Sequence, residues 1–166
     1  GNSLLSLNGT DQAIASLSGG TTSSIILGDE VGSGTLTIGF DSALNPSGIV
    51  RADFEGVISG HGEIKKDGLS TQILSGANTF IGSTTIRAGT LEITNALGLG
   101  ATGSASTTTV EEGATLLLNG VTVSGETLEI SGSGVDSTSG ALSGGSSTAS
   151  FNGLISLSQD ASIYNE

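Results

Sequence analysis

Strands too short to fold alone make up most of this chain. From Gly60 to Ile93, brief runs of alternating apolar and polar residues are divided by Gly or Asn corners, and Thr90-Leu91-Glu92-Ile93 returns verbatim at Thr127–Ile130. The period is two, so Leu91 and Ile93 share one face of a strand while Thr90 and Glu92 share the other. A unit of this size cannot bury an apolar face by itself. Copies must stack, and stacked copies make a solenoid. No segment carries a helical stripe of useful length; Asn95–Leu99 offers one turn at most.

Self-comparison extends the pattern. Ala52–Ser59 aligns with Ala149–Ser156, and Thr35-Leu36-Thr37-Ile38 with Thr127-Leu128-Glu129-Ile130. The offsets differ by a five-residue insertion in the Ser/Gly-rich stretch between Ser131 and Ser147. Leu5–Gly9 similarly echoes Leu116–Gly120. Variable corners between fixed strands are what a solenoid tolerates. Within Val50–Ile58 the alternation turns Val50, Ala52, Phe54 and Ile58 inward and leaves Arg51, Asp53 and Glu55 outside. The expected architecture is all-β: a right-handed parallel β-helix of about seven turns, one segment over residues 1–166. A sandwich is the alternative.

Composition sharpens this reading. Twenty-eight Gly suggest a flexible linker, but 35% hydrophobic residues recurring in short clusters supply enough apolar surface for layered strands. The one Pro, in the turn-like Leu44–Gly48, excludes collagen and polyproline readings. Without Cys there are no disulfides, thiol nucleophiles or thiolate metal sites. The absence of Met makes Gly1 an unnatural start and points to excision from a longer polypeptide. The net charge is -12, with every base between Arg51 and Arg87 and eight acids without a base from residue 88 onward. Nucleic acid and anionic membranes are poor partners for that field, and no segment suits membrane insertion.

The segment Ile58–Gly68, with Leu74-Ser75-Gly76-Ala77-Asn78-Thr79-Phe80 and Thr84-Thr85-Ile86-Arg87-Ala88-Gly89-Thr90-Leu91, resembles the passenger-associated repeat of bacterial autotransporters over about residues 58–93. The resemblance implies a β-helix exported through the outer membrane to the cell surface. Lys65-Lys66 and Ser70-Thr71-Gln72 depart from the usual pattern, the latter replacing a Gly-Thr-Leu strand start. Nothing in the chain resembles that family's C-terminal barrel, since one Tyr and four Phe cannot form aromatic girdles.

Candidate sites yield no catalytic, cofactor-binding or metal residue. His61, the only His, sits between two Gly and reads as an exposed corner, with no second His or Cys for zinc. Asp53 and Glu55 lie on one strand face with Arg51 beside them. A glycosidase needs such a pair, yet the aligned copy has Ser150 and Asn152 there. Arg51 and Arg87 are the only arginines for lyase chemistry, and neither lies in an acid cluster. Glu111-Glu112 and Asp29-Glu30 suit corners, where structural calcium is a minor expectation; Gly132–Asp136 is one loose fragment of a calcium repeat. Asn8-Gly9-Thr10 fits a glycosylation acceptor but reads as a strand-end turn. Thr107-Thr108-Thr109 suggests a flat Thr array for ice or another surface. Tyr164 is the one aromatic available for carbohydrate, because Phe54, Phe80 and Phe151 read as core.

The resulting expectation is a non-enzymatic stalk or spacer of a secreted, surface-displayed autotransporter-like adhesin. Its partners would be adjoining turns of the parent chain, end-to-end copies, or a host surface. A self-assembling filament subunit and a polysaccharide-degrading β-helix enzyme are the alternatives.

Overall fold

The computed structural model describes residues 2–39, 51–103, 106–136, 138–146 and 148–165. Val50 and the Leu44–Gly48 turn lie outside them. Three parallel sheets wrap around one core. The first holds β1 (Ser3–Ser6), β3 (Ser23–Ile26) and β6 (Val57–Ser59). The second stacks β2 (Gln12–Ile14), β4 (Gly34–Ile38), β7 (Gly62–Lys66), β9 (Thr84–Ile86), β11 (Thr107–Val110), β13 (Thr122–Gly132) and β15 (Ser150–Ala161). The third stacks β5 (Arg51–Phe54), β8 (Thr71–Leu74), β10 (Gly89–Ile93), β12 (Ala114–Leu118), β14 (Leu142–Gly144) and β16 (Ile163–Asn165). The chain visits the sheets in turn and pairs only with the passes before and after. It is a parallel β-solenoid of about six turns plus a seventh pass in the second sheet, close to the seven expected. No helix occurs among the described residues.

The coil step varies from 19 residues, where Thr71 pairs with Thr90, to 35, where Gly19 bridges Phe54. Strand register survives these steps because the inward columns hold it. One column of the second sheet runs Ile38–Lys66–Ile86–Val110–Ile130, and one of the third runs Ala52–Gln72–Leu91–Leu116–Leu142. The aliphatic members are buried, each worth about 1.5–3 kcal/mol of transfer free energy. A one-residue slip would turn a whole column outward.

Corners depend on backbone contact. A Cβ on Gly76 would collide with the carbonyl oxygen of Gly56 in the coil below, so this corner stacks only without a side chain. Two residues on, Asn78 carries the stack past β6, the last strand of the first sheet. Its Oδ1 accepts the Ile58 N–H (2.9 Å) and its Nδ2 donates to Gly98 O (2.8 Å), linking three successive coils from a buried position. Phe80, fully buried, fills the space behind it. The Gly-Ala-Asn-Thr-Phe run is thus a close-approach, polar-tie and core-plug sequence.

The internal echoes divide on inspection. Thr35–Ile38 and Thr127–Ile130 both belong to the second sheet, in β4 and β13. The other echoes pair strands of different sheets: β5 belongs to the third and β15 to the second, β1 to the first and β12 to the third. Even the verbatim Thr-Leu-Glu-Ile lies in β10 of the third sheet and again in β13 of the second. What repeats is strand-and-corner grammar rather than position around the coil.

Candidate functional site: internal ties, open ends and a lateral groove

Two inward positions, Lys66 and Gln72, carry long polar side chains where neighbours in their columns are aliphatic. Lys66 stands between Ile38 and Ile86 and is fully buried. Its Nζ donates to Asp67 O (2.7 Å), Gly68 O (2.8 Å) and Ala88 O (3.1 Å), gathering the corner carbonyls of two coils. Burial lowers its pKa to about 8, against the pull of the Asp67 charge, so the ammonium keeps its proton at neutral pH. Gln72 occupies a Leu-like position beside Ala52. Its Oε1 accepts the Leu17 N–H (3.1 Å), and its Nε2 donates to the carbonyls of Leu17, Ala52 and Ile73. The small Ala52 leaves room for that reach to the first coil. The two departures from the repeat pattern therefore build specific ties.

Glu126 is a further buried polar side chain, outside the paired columns. It projects inward at a register shift in β13, accepting from Thr108 Oγ1 (3.1 Å) and Ser106 Oγ (3.5 Å). Burial raises its pKa, and the two hydroxyls only partly oppose that. Thr84, next to Thr108 in the same column, is buried with its hydroxyl unpartnered among the described residues.

Outside the core, the third sheet carries a charged cluster. Arg51 reaches from β5 across β8 to Glu92 on β10: Nη2 donates to Oε1 (2.8 Å) and Nη1 lies 2.7 Å from Oε2. The second contact is Coulombic, without hydrogen-bond alignment. Asn119 Nδ2 also donates to Oε1 (2.8 Å). Glu92 is only 1% exposed although its side of the strand faces outward. Beside it a groove of about 360 Å³ crosses Leu117 and Ser143 to Thr138, Ser139 and Tyr164. Thr138 and Ser139 of the far wall follow β13, and the residues flanking them are tied to the sheet by Thr115 Oγ1: that hydroxyl donates to Gly140 O and accepts the Val135 N–H. Asp136 braces the wall by accepting from Ser139 Oγ, the Thr138 N–H and Thr138 Oγ1, which together lower its pKa to about 2.

The residues singled out from sequence fall in separate places. His61 is half-buried rather than exposed, because its backbone bridges Ile81 and its N–H donates to Gly28 O (3.1 Å). Asp53 and Glu55 are exposed, with Asp53 accepting from Ser75 Oγ (2.6 Å). Arg51 pairs with Glu92 instead of that stripe, a partnership invisible in sequence because the two are two strands apart. Arg87 lies 3.8 Å from Asp67 and 3.9 Å from Glu111 at the surface. Glu112, Asp29 and Glu30 are exposed at corners, and Asp29 accepts the Val31 and Gly32 N–H groups, which lowers its pKa. Asn8 and Gly9 both have positive φ, as a tight strand-end turn requires. Thr107–Thr109 does not form one array: Thr108 is buried while its neighbours face outward. Phe54 and Phe80 are core, but Phe151 is only partly covered. Among the described residues, no group of three or more His, Asp or Glu could hold a metal ion, and no helix is long and apolar enough to cross a membrane.

Both ends of the stack are open. At one end Leu5, paired with buried Ile25, is 52% exposed. At the other Leu157 and Ile163 continue inward columns yet are 62% and 59% exposed.

Stacked coils, aliphatic columns and tied corners define a parallel β-solenoid. Residues 64–93 match the passenger-associated-transport-repeat family, and the chain carries this autotransporter passenger repeat. Over 92 residues, 54% of the chain, it is 42% identical to the adhesin BmaC autotransporter of Brucella suis biovar 1 (strain 1330). That stretch is 2% of the relative's length. No solved structure matches the chain.

Proposed function

We propose that this segment is a structural stalk or spacer in an exported, cell-surface adhesin of the autotransporter kind, and that it catalyses nothing. The observation that carries the reading is the inward columns that run from coil to coil through the stack in constant register. Coils of this kind add length at about 4.8 Å each, and stiffness comes from backbone ladders and side-chain ties rather than from any one site. The adhesin relative supports the setting.

The test is to display the chain between an outer-membrane anchor and a distal epitope, with one or two copies. Each copy should raise the epitope by about 30 Å, the rise of six coils. An unchanged height contradicts a spacer. A filament subunit is the second reading: coils of one copy stacking end to end on another would be a heterologous contact that does not close. Concentration-dependent rods from the purified chain would select it.

A further inference from the structure

We propose that the lateral groove beside Glu92 binds a short, uncharged saccharide. This goes beyond a stalk role, since a stalk with an empty groove would still be a stalk.

Between β13 and β14, Val135 and Gly140 are held to the outer surface of the third sheet by Thr115, and Thr138 and Ser139 make one wall of the groove. The opposite wall is the Arg51–Glu92–Asn119 cluster. Glu92 is buried and held from both sides, so its carboxylate is fixed before any ligand arrives. Such pre-organisation lowers the ordering cost of binding. A volume of about 360 Å³ sits at the small end of ligand clefts, roughly 300–1,000 Å³.

The lining specifies the ligand class. Tyr164 is outward-facing in register with Ser143 and 43% exposed, presenting an aromatic face, and Leu117 lies in the floor. Further coils would add to the strand edges and leave that side face open. Guanidinium, amide and hydroxyl groups border this apolar surface. A pyranose ring has matching chemistry: C–H groups for the aromatic face and hydroxyls at its rim for the polar groups. Charge decides between sugars. Glu92 already neutralises Arg51, and eight acids without a base occupy the chain from residue 88 onward. A uronic or sialic acid would enter against that field, whereas a neutral sugar is indifferent to it.

The test is a titration of the isotope-labelled 166-residue chain with maltose, lactose and diacetylchitobiose, and with glucuronic acid as charged control, followed by amide NMR. At least one neutral disaccharide should shift Leu117, Ser143, Tyr164 and the Asn119 side-chain amide. Tyr164→Ala should weaken that binding roughly three- to tenfold, with thermal melting confirming an intact fold. No shift with any neutral disaccharide overturns the proposal. So does a response to glucuronic acid alone, or binding that Tyr164→Ala and Asn119→Ala leave unchanged.

Discussion

Replacing Lys66 with Met tests the internal ties where the interior is most unusual. Met has similar length and fits the Ile38–Lys66–Ile86 column, so packing is largely kept while the ammonium is lost. Three hydrogen bonds to Asp67 O, Gly68 O and Ala88 O disappear. Bonds to a charged group are worth about 1.5–3 kcal/mol each. Against them stands the burial that moves the pKa from 10.5 to about 8, about 3 kcal/mol at 1.36 kcal/mol per unit. The balance is a loss of about 2 kcal/mol for Lys66→Met at pH 7, read by urea unfolding. The pH dependence adds a signature. Between the folded and unfolded pKa values the unfolded chain holds a proton that the folded chain has released, so wild-type stability rises with pH. This contribution is complete above about 10.5 and gone below about 8. The wild-type advantage over Lys66→Met should therefore grow from pH 8 to 10, with a slope approaching ~1.4 kcal/mol per unit. A variant as stable as wild type at pH 7, or an advantage flat in pH, refutes the reasoning.

Further outcomes follow from the other ties. Gln72→Leu restores the aliphatic column but strips Leu17 of both partners; a loss of about 1–3 kcal/mol is expected, with faster amide exchange concentrated in the first coil. Glu126→Gln should raise stability at pH 7, because the folded-state pKa of Glu126 lies above its unfolded value. The wild-type contribution is present below the unfolded pKa near 4.5 and lost as pH rises through the folded one. Unfolding curves from pH 4 to 7 should be flatter for the variant. Gly76→Ala should cost about 2 kcal/mol or more, or abolish folding, because its Cβ strikes Gly56 O; a thermal melt matching wild type would contradict the corner stacking.

The fold was legible because its determinants are local. Period-two strands, Gly and Asn corners and aliphatic clusters recur whichever sheet a strand joins, so they announce a solenoid without saying where each strand sits. That is why Thr-Leu-Glu-Ile repeats verbatim although β10 and β13 belong to different sheets. The same local rules hid the polar ties. Lys66, Gln72 and Glu92 read as a charged corner, an irregular strand start and an outward Glu, because the partners they reach in other coils lie 22, 55 and 41 residues away, at Ala88, Leu17 and Arg51. The groove was invisible for the same reason: its walls come from β5, β10 and Thr138–Ser139 between β13 and β14, which only the coil register brings together. Tyr164 was legible as an aromatic without a core role, but not as the neighbour of Ser143.

The central claim is parallel stacking in a defined register, and the absence of Cys from the chain allows a background-free test. Thr85 and Thr109 are outward partners on adjacent strands β9 and β11, whereas Glu129 lies one strand further along the column. Adjacent strands place Cα atoms about 4.8 Å apart, within disulfide range, and next-nearest strands about 9.6 Å, beyond it. Under mild oxidation the double variant Thr85→Cys with Thr109→Cys should cross-link within the folded chain, while Thr85→Cys with Glu129→Cys should stay reduced. Cross-linking of the second pair and not the first would contradict the stack.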